Sequence, residues 1–159
     1  MINIDIEKFK ENVKNKKAAN KKFFTKLKKK IPKSIHTTIN NLHYEVFEEI
    51  DCLACANCCK TTPPIITNKD ISRISKHLRL KEGDFMKLYV VTDPEGDYIF
   101  KTTPCVFLDS DNYCRIYDVR PKACREYPHT DINKVSIKLL EKNIAVCPAV
   151  FEMVNRLKQ

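Results

Sequence analysis

Glycine is nearly missing from this 159-residue chain, which has only Gly83 and Gly96. A loop that cradles phosphate or a dinucleotide needs several glycines at fixed offsets. Neither GxGxxG nor GxxxxGK(S/T) occurs, so nucleotide binding by those devices is excluded. Long apolar runs are missing too, and no stretch reaches the length of a transmembrane segment. The N-terminus, MINIDIEKFKENVKNKK, soon becomes charged and has no apolar signal core, the pattern expected of a cytoplasmic protein. Hydrophobic residues at 43% and charged residues at 31% are an ordinary globular balance, which argues against wholesale disorder. The length suits one compact domain with an appendage.

Cysteine is absent from the first 51 residues and then abundant: Cys52, Cys55, Cys58, Cys59, Cys105, Cys114, Cys124 and Cys147. Without a secretory signal these thiols are expected in a reducing compartment, where metal binding is a better reading than four disulfides. The charge is just as uneven. Residues 1–33 hold 12 lysines against Asp5, Glu7 and Glu11, and so carry the whole net +9, leaving the cysteine-bearing remainder neutral. A solvated lysine face is the preferred reading. Any affinity for nucleic acid or an anionic surface is expected to be weak, to reside in residues 1–33 and to fall steeply with salt.

Ile6, Phe9, Val13, Phe23, Phe24 and Leu27 fit one stripe of a helix that Pro32 ends, with Lys16 and Asn20 interrupting it. Ser34 is placed to cap a second helix, whose buried stripe is Ile35, Ile39, Leu42, Val46 and Ile50. The short break between them predicts an antiparallel helical hairpin over 1–50, with Phe9, Phe23 and Phe24 packed on Ile35, Leu42 and Val46. Thr67 and Asp70 offer a capping box to a helix carrying Ile71, Ile74 and Leu78, with Gly83 closing it or the next turn. Phe85, Leu88 and Tyr89 predict another short helix. Val90-Val91 and Tyr98-Ile99-Phe100 flank a Pro94/Gly96 turn, and Cys105 and Cys114 flank a second turn at Asp109–Asn112. Ile132, Val135, Leu139 and Leu140 predict one helix near the C-terminus, and Pro148 with Val150, Phe151, Val154 and Leu157 another. The fold class is therefore α+β, mostly helical, with the hairpin at 1–50 and a cysteine-cluster domain at 51–159.

Cys52-x2-Cys55-x2-Cys58-Cys59 packs four thiols into eight residues. A C-x2-C turn lets two thiolates converge on one ion, with backbone amides pointing at the sulfurs. The same spacing wraps three corners of a bacterial 4Fe-4S cluster, whose remaining corner takes a distant cysteine followed by proline, as Cys147-Pro148 is here. Eight thiols could fill two four-ligand sites, one site plus inert cysteines, or a polynuclear centre, and spacing does not choose among them. Cys58 and Cys59 are adjacent, so in extended backbone their side chains diverge. Arg115, Arg120 and Arg125 lie beside the downstream cysteines. They either offset thiolate charge or form salt bridges with Asp118 and Glu126. His36 and His43 read as packing or solvated residues, and His129 as a weak extra ligand candidate.

The cluster Cys52 to Cys59, then Pro104-Cys105-Val-Phe-Leu108, then Cys114-Arg-Ile-Tyr117-Asp-Val-Arg120-Pro121-Lys-Ala-Cys124-Arg125-Glu-Tyr-Pro128, resembles the CxxCxxCC cysteine-cluster family. This is also called the YkgJ family of zinc- or iron-chelating domains. The resemblance implies that all eight cysteines are metal-ligand candidates, Cys52, Cys55 and Cys58 first. It implies zinc or iron as cofactor, with a 4Fe-4S centre among the forms, and a redox or metal/cluster-maturation role. The alternatives are a structural zinc module that presents the basic hairpin to a protein partner, and an enzyme of transfer chemistry related to flagellin lysine methylases. No S-adenosylmethionine motif and no Ser/His/Asp or Cys/His catalytic set stands out.

Overall fold

A computed structural model describes residues 4–159, and 58% of it is helical. In chain order its elements are α1 (Ile6–Asn15), α2 (Lys17–Lys29), α3 (Ile35–Glu49), α4 (Cys52–Cys55), α5 (Asn57–Thr61), α6 (Asn68–His77), α7 (Glu82–Tyr89), β1 (Val90–Thr92), β2 (Tyr98–Phe100), a 3-10 turn (Tyr117–Val119), α8 (Lys122–Glu126), α9 (Ile137–Asn143) and α10 (Pro148–Leu157). The class is mostly helical α+β, as expected. The chain forms two compact units: one holds the chain up to Cys55 together with Pro128–Gln159, and the other, Ala56–Tyr127, is inserted between those pieces. A boundary drawn at residue 50 follows cysteine content, whereas these units follow packing.

In the first unit the Asp5 carboxylate caps α1 by accepting the Lys8 amide at 3.0 Å. The stripe predicted as one helix is two, because Lys16 leaves the helical region with φ −91° and ψ 4°. Its ammonium instead reaches Asn155 Oδ1 at 3.2 Å and faces the Phe151 ring. The hairpin's packing also differs from expectation. Phe9 meets Phe151 of α10 edge-on, with ring centroids 5.7 Å apart. Helix α3 lies chiefly against α10, whose Val150, Met153 and Val154 have no exposed surface. Ile35, Ile39, Val46 and Ile50 are buried as their spacing predicts, while Leu42 is half-buried. Ser34 sits at the cap of α3 but makes no side-chain capping bond.

The helix predicted from Ile132 begins only at Ile137, where the Ser136 hydroxyl accepts the Leu139 amide. The reason lies upstream. Asn40 Nδ2 donates to the carbonyls of Thr130 (2.6 Å) and Ile132 (3.1 Å), holding that stretch out of a helix. His43 Nδ1 lies 2.7 Å from the hydroxyl of fully buried Thr130 and fastens the same stretch. Burial lowers the pKa of His43, against the opposing charge of Asp131.

The second unit has a core of Ile66, Ile71, Ile74, Phe85, Val90, Phe100, Phe107 and Ile116. Its α6 opens on the predicted capping box: Thr67 Oγ1 accepts the Asp70 amide, and Asp70 Oδ2 accepts the Thr67 amide at 2.9 Å. Gly83 does not close this helix but lies inside α7. The stop is Arg79, at φ +57°, whose amide donates to the Lys76 carbonyl while the Leu80 amide donates to that of Ser75, a Schellman pattern. Strands β1 and β2 pair antiparallel, Val90 opposite Phe100, and Gly96 takes φ +92° in the turn as predicted. The second predicted turn is also present: Leu108 pairs with Cys114, and Asn112 takes φ +69°.

Candidate metal centre

The crossing from one unit to the other, between Cys55 and Ala56, divides the cysteines. Cys52, Cys55 and Cys147 fall in the first unit, and Cys58, Cys59, Cys105, Cys114 and Cys124 in the second. No disulfide joins Cys58, Cys59, Cys105, Cys114, Cys124 or Cys147.

Four distant segments of the second unit bring their thiols into one neighbourhood. Cys59 lies on α5, and its carbonyl accepts the Cys105 amide at 2.9 Å, pairing the two stretches. Cys105 and Cys114 stand on the two arms of the Asp109–Asn112 turn, tied by the Leu108–Cys114 bridge and by the Arg115 amide donating to Phe107 O at 2.9 Å. Cys124 comes from α8. Cys58 Sγ is 3.9 Å from Cys59 Sγ.

The electrostatics show the same grouping. The Cys58 hydrogen bond, then burial, raises the pKa of Cys59. Burial pushes Cys105 up to about 11, with Cys59 and Cys114 adding to the rise and the Phe107 amide and Arg115 opposing it. Burial also raises Cys114, against the Ile116 amide and Arg120. Cys124 is pushed up to about 12 by burial and then by Cys59, Cys105 and Cys114, with Arg120 opposing. The amide two residues on thus points at the sulfur of both Cys105 and Cys114, a local geometry that favours the thiolate.

In the first unit Cys147 is the cap residue of α10, and burial pushes its thiol up to about 12. The amides of Val150 and Ala149 oppose that rise, while Cys52 and Cys55 add to it. Among the described residues no three His, Cys, Asp or Glu side chains are drawn into a ready-made chelate.

The donors nonetheless suit zinc or iron. Soft thiolates are the ligands of tetrahedral zinc and of iron-sulfur centres, and a metal site commonly closes only as the ion binds. Of the arginines, Arg120 donates to Tyr117 O at 2.6 Å and lies 3.9 Å from the Tyr117 ring centroid. Arg115 donates to Val106 O at 2.6 Å and pairs with Asp109 at 3.2 Å, rather than with the acids next to the cysteines. Arg125 lies in the last turn of α8.

Asp70 and Arg73 matter more here than their spacing suggests. The Asp70 carboxylate is 1% exposed and accepts not only from its cap but also from the Lys122 amide at 3.0 Å, the first amide of α8. Its capping role was legible in the sequence; no local signal announced the bond to Lys122. Burial alone would raise its pKa, but hydrogen bonds from Thr67, Arg73 and Lys122 outweigh that and hold it below the usual carboxylate value.

The chain is 33% identical over 82 residues to an uncharacterized protein of Methanocaldococcus jannaschii, an alignment covering 50% of this chain and 44% of that protein. No solved structure matches. No helix among the described residues is long and apolar enough to cross a membrane. The family model named CxxCxxCC and described as "Putative zinc- or iron-chelating domain" matches residues 51–148, from just before Cys52 to just after Cys147. With that stretch matched, and with soft donors gathered in it, the chain belongs to the CxxCxxCC family of zinc- or iron-chelating domains.

Proposed function

We propose that Cys59, Cys105, Cys114 and Cys124 together hold one zinc ion or iron-sulfur centre, and that Cys52, Cys55 and Cys147 are a separate thiol group of the same chemistry. Cys58 is the eighth donor, beside Cys59. The observation that carries this reading is the meeting of four separated segments, with the Cys59 carbonyl accepting the Cys105 amide and Leu108 bridged to Cys114, while the charge of Cys59 bears on Cys105, Cys114 and Cys124. Independent burial of small apolar residues would not gather them so. Four thiolates on a divalent ion leave excess negative charge, and Arg115 and Arg120 offset it.

Bound zinc would supply structural closure, and an iron-sulfur centre would supply one-electron transfer, the redox or cluster-maturation role. A reducing, cytoplasmic setting keeps the thiols available. In this reading residues 51–159 carry the metal chemistry and residues 1–50 the basic face. Protein isolated anaerobically is expected to contain at least one equivalent of zinc or iron per chain, with a broad visible absorption if the iron is in a cluster. Metal-free protein that folds cooperatively would overturn the reading.

A second reading, a structural metal module with a basic docking face, is favoured by the lysines of α1 and α2. Their ion pairs among the described residues engage Lys10 and Lys28, and a shallow groove on α2 is lined by Ala18, Lys21, Lys22, Thr25, Lys26 and Lys29. Weak, salt-sensitive binding to RNA, duplex DNA or anionic vesicles is expected from that face. Tight sequence-selective binding that persists at high salt would show a dedicated recognition element instead.

A further inference from the structure

We propose that Asp70 and Arg73, on the cysteine-free helix α6, are positioning residues for the thiol group of the second unit: they hold segment 119–122, and through it Arg120 and Cys124, where Cys124 joins Cys59, Cys105 and Cys114. The proposal rests on the metal-binding reading above.

Two side chains one turn apart fasten three backbone groups of one short stretch. Asp70 Oδ1 accepts the Lys122 amide at 3.0 Å. Arg73 Nη2 donates to Arg120 O at 2.8 Å, its Nε donates to Val119 O at 3.3 Å, and Nη2 also bonds Asp70 Oδ1 at 2.6 Å. The segment needs this help because it lies between the 3-10 turn and α8, where no regular ladder serves it. Pro121 has no amide to donate and keeps Arg120 out of the helical region, at φ −54° and ψ 153°.

The remaining acceptor capacity of Asp70 is also filled, since Thr67 donates to Oδ2 through both its amide and its hydroxyl. A buried carboxylate is strongly unfavourable unless so completely satisfied, and an apolar side chain would fill the space without that demand. What the carboxylate adds is a fixed address for the first amide of α8. Cys124 lies two residues beyond it. Arg120, whose carbonyl Arg73 holds, has its guanidinium fixed on Tyr117, where it donates to the Tyr117 carbonyl and faces the ring.

The test compares full-length wild type, Asp70→Asn, Arg73→Lys and Cys124→Ser, each stripped of metal and titrated with Zn2+ and Co2+ against a competing chelator. Alkylation of each cysteine in the loaded proteins is read by mass spectrometry. Loss of a bond that orients a ligand costs about 10- to 100-fold in metal affinity. Asp70→Asn is expected to weaken Zn2+ at least tenfold and to make Cys124 the most readily alkylated of the four. Arg73→Lys keeps the charge facing Asp70 but loses the fork to the two carbonyls, so a smaller loss in the same direction is expected in a folded protein.

If both variants retain wild-type affinity and Cys124 protection while melting at a lower temperature, the pair only braces the fold and the proposal is overturned. If Asp70→Asn fails to fold, Arg73→Lys decides, and an unchanged Cys124 in that variant overturns the proposal as well. Failure of the underlying reading shows in the other arms. Wild type without zinc or iron that takes up neither ion, or Cys124→Ser binding as tightly as wild type, removes the site and the positioning role together.

Discussion

Phe24, Ile39, Val46, Val150, Met153 and Val154 have no exposed surface in one unit; in the other, a carboxylate, Asp70, is hidden almost as completely. The difference follows from element length. Helices α2, α3 and α10 run for 13, 15 and 10 residues, long enough to bury whole apolar stripes against one another. The second unit uses elements as short as α8, of five residues, and strands of three. Pieces that short bury little apolar surface of their own, and beside the core around Ile74 and Phe85 the side chains of Asp70 and Arg73 hold the backbone of segment 119–122. One unit rests on long apolar stripes and the other adds a fully bonded buried carboxylate to its apolar core, and each half of that contrast can be tested.

The largest effect is expected from removing metal. Structural thiolate sites contribute on the order of 10 kcal/mol to folding. Cys59→Ser, which touches only the second thiol group, should strip hydrogen-exchange protection from amides of Ala56–Tyr127 while α2, α3 and α10 keep theirs. Protection lost equally in both units would break the contrast. Next is Phe24→Ala, which opens a cavity in the helical unit and should cost about 3–5 kcal/mol there. Metal content measured on the folded fraction should not change.

Acid should act on the second unit before the first. The carboxyl of Asp70 is held below its unfolded value, so its contribution is fully present above the ordinary carboxylate pKa of about 4 and is lost as pH falls through the lower folded value. Melting curves of the protein as isolated, taken between about pH 6 and pH 2.5 beside those of Asp70→Asn, should show a steeper acid loss in the wild type, the difference being the part that Asp70 carries. The smallest effect sharpens the contrast rather than testing it. Arg79 is exposed and holds a left-handed conformation that glycine adopts freely, so Arg79→Gly should stabilise α6 by about 1 kcal/mol in chemical denaturation.

The same contrast decides what could be read in advance. Periodicity located α3 because Ile35, Ile39, Val46 and Ile50 are buried by one repeating contact, and Pro148 marked the start of α10 because its missing amide is harmless there. Thr67 and Asp70 were legible as a cap because both partners lie within one turn. The bond from Asp70 to Lys122 joins residues 52 apart, and a pattern within one turn does not reveal it. Arg79 carries no local signal either, since local rules look for a glycine at a helix stop. The helix expected from Ile132 failed because Asn40 holds the carbonyls that the helix would have used. All eight cysteines were visible as candidate donors, but their division by unit was not, because adjacency in sequence joins Cys55 to Ala56 just where the packing separates them.

That interruption governs the order in which the protein can be made. Helix α3 leaves the ribosome well before α10, with the whole of Ala56–Tyr127 synthesised between them. The inserted unit has all its own strands and thiols in hand and can close as soon as Tyr127 emerges, since domains fold as units during synthesis. The helical unit cannot. Helix α3 waits for α10, the helix it chiefly lies against, so the nascent chain passes through a stage in which its more local-looking half is the unfinished one.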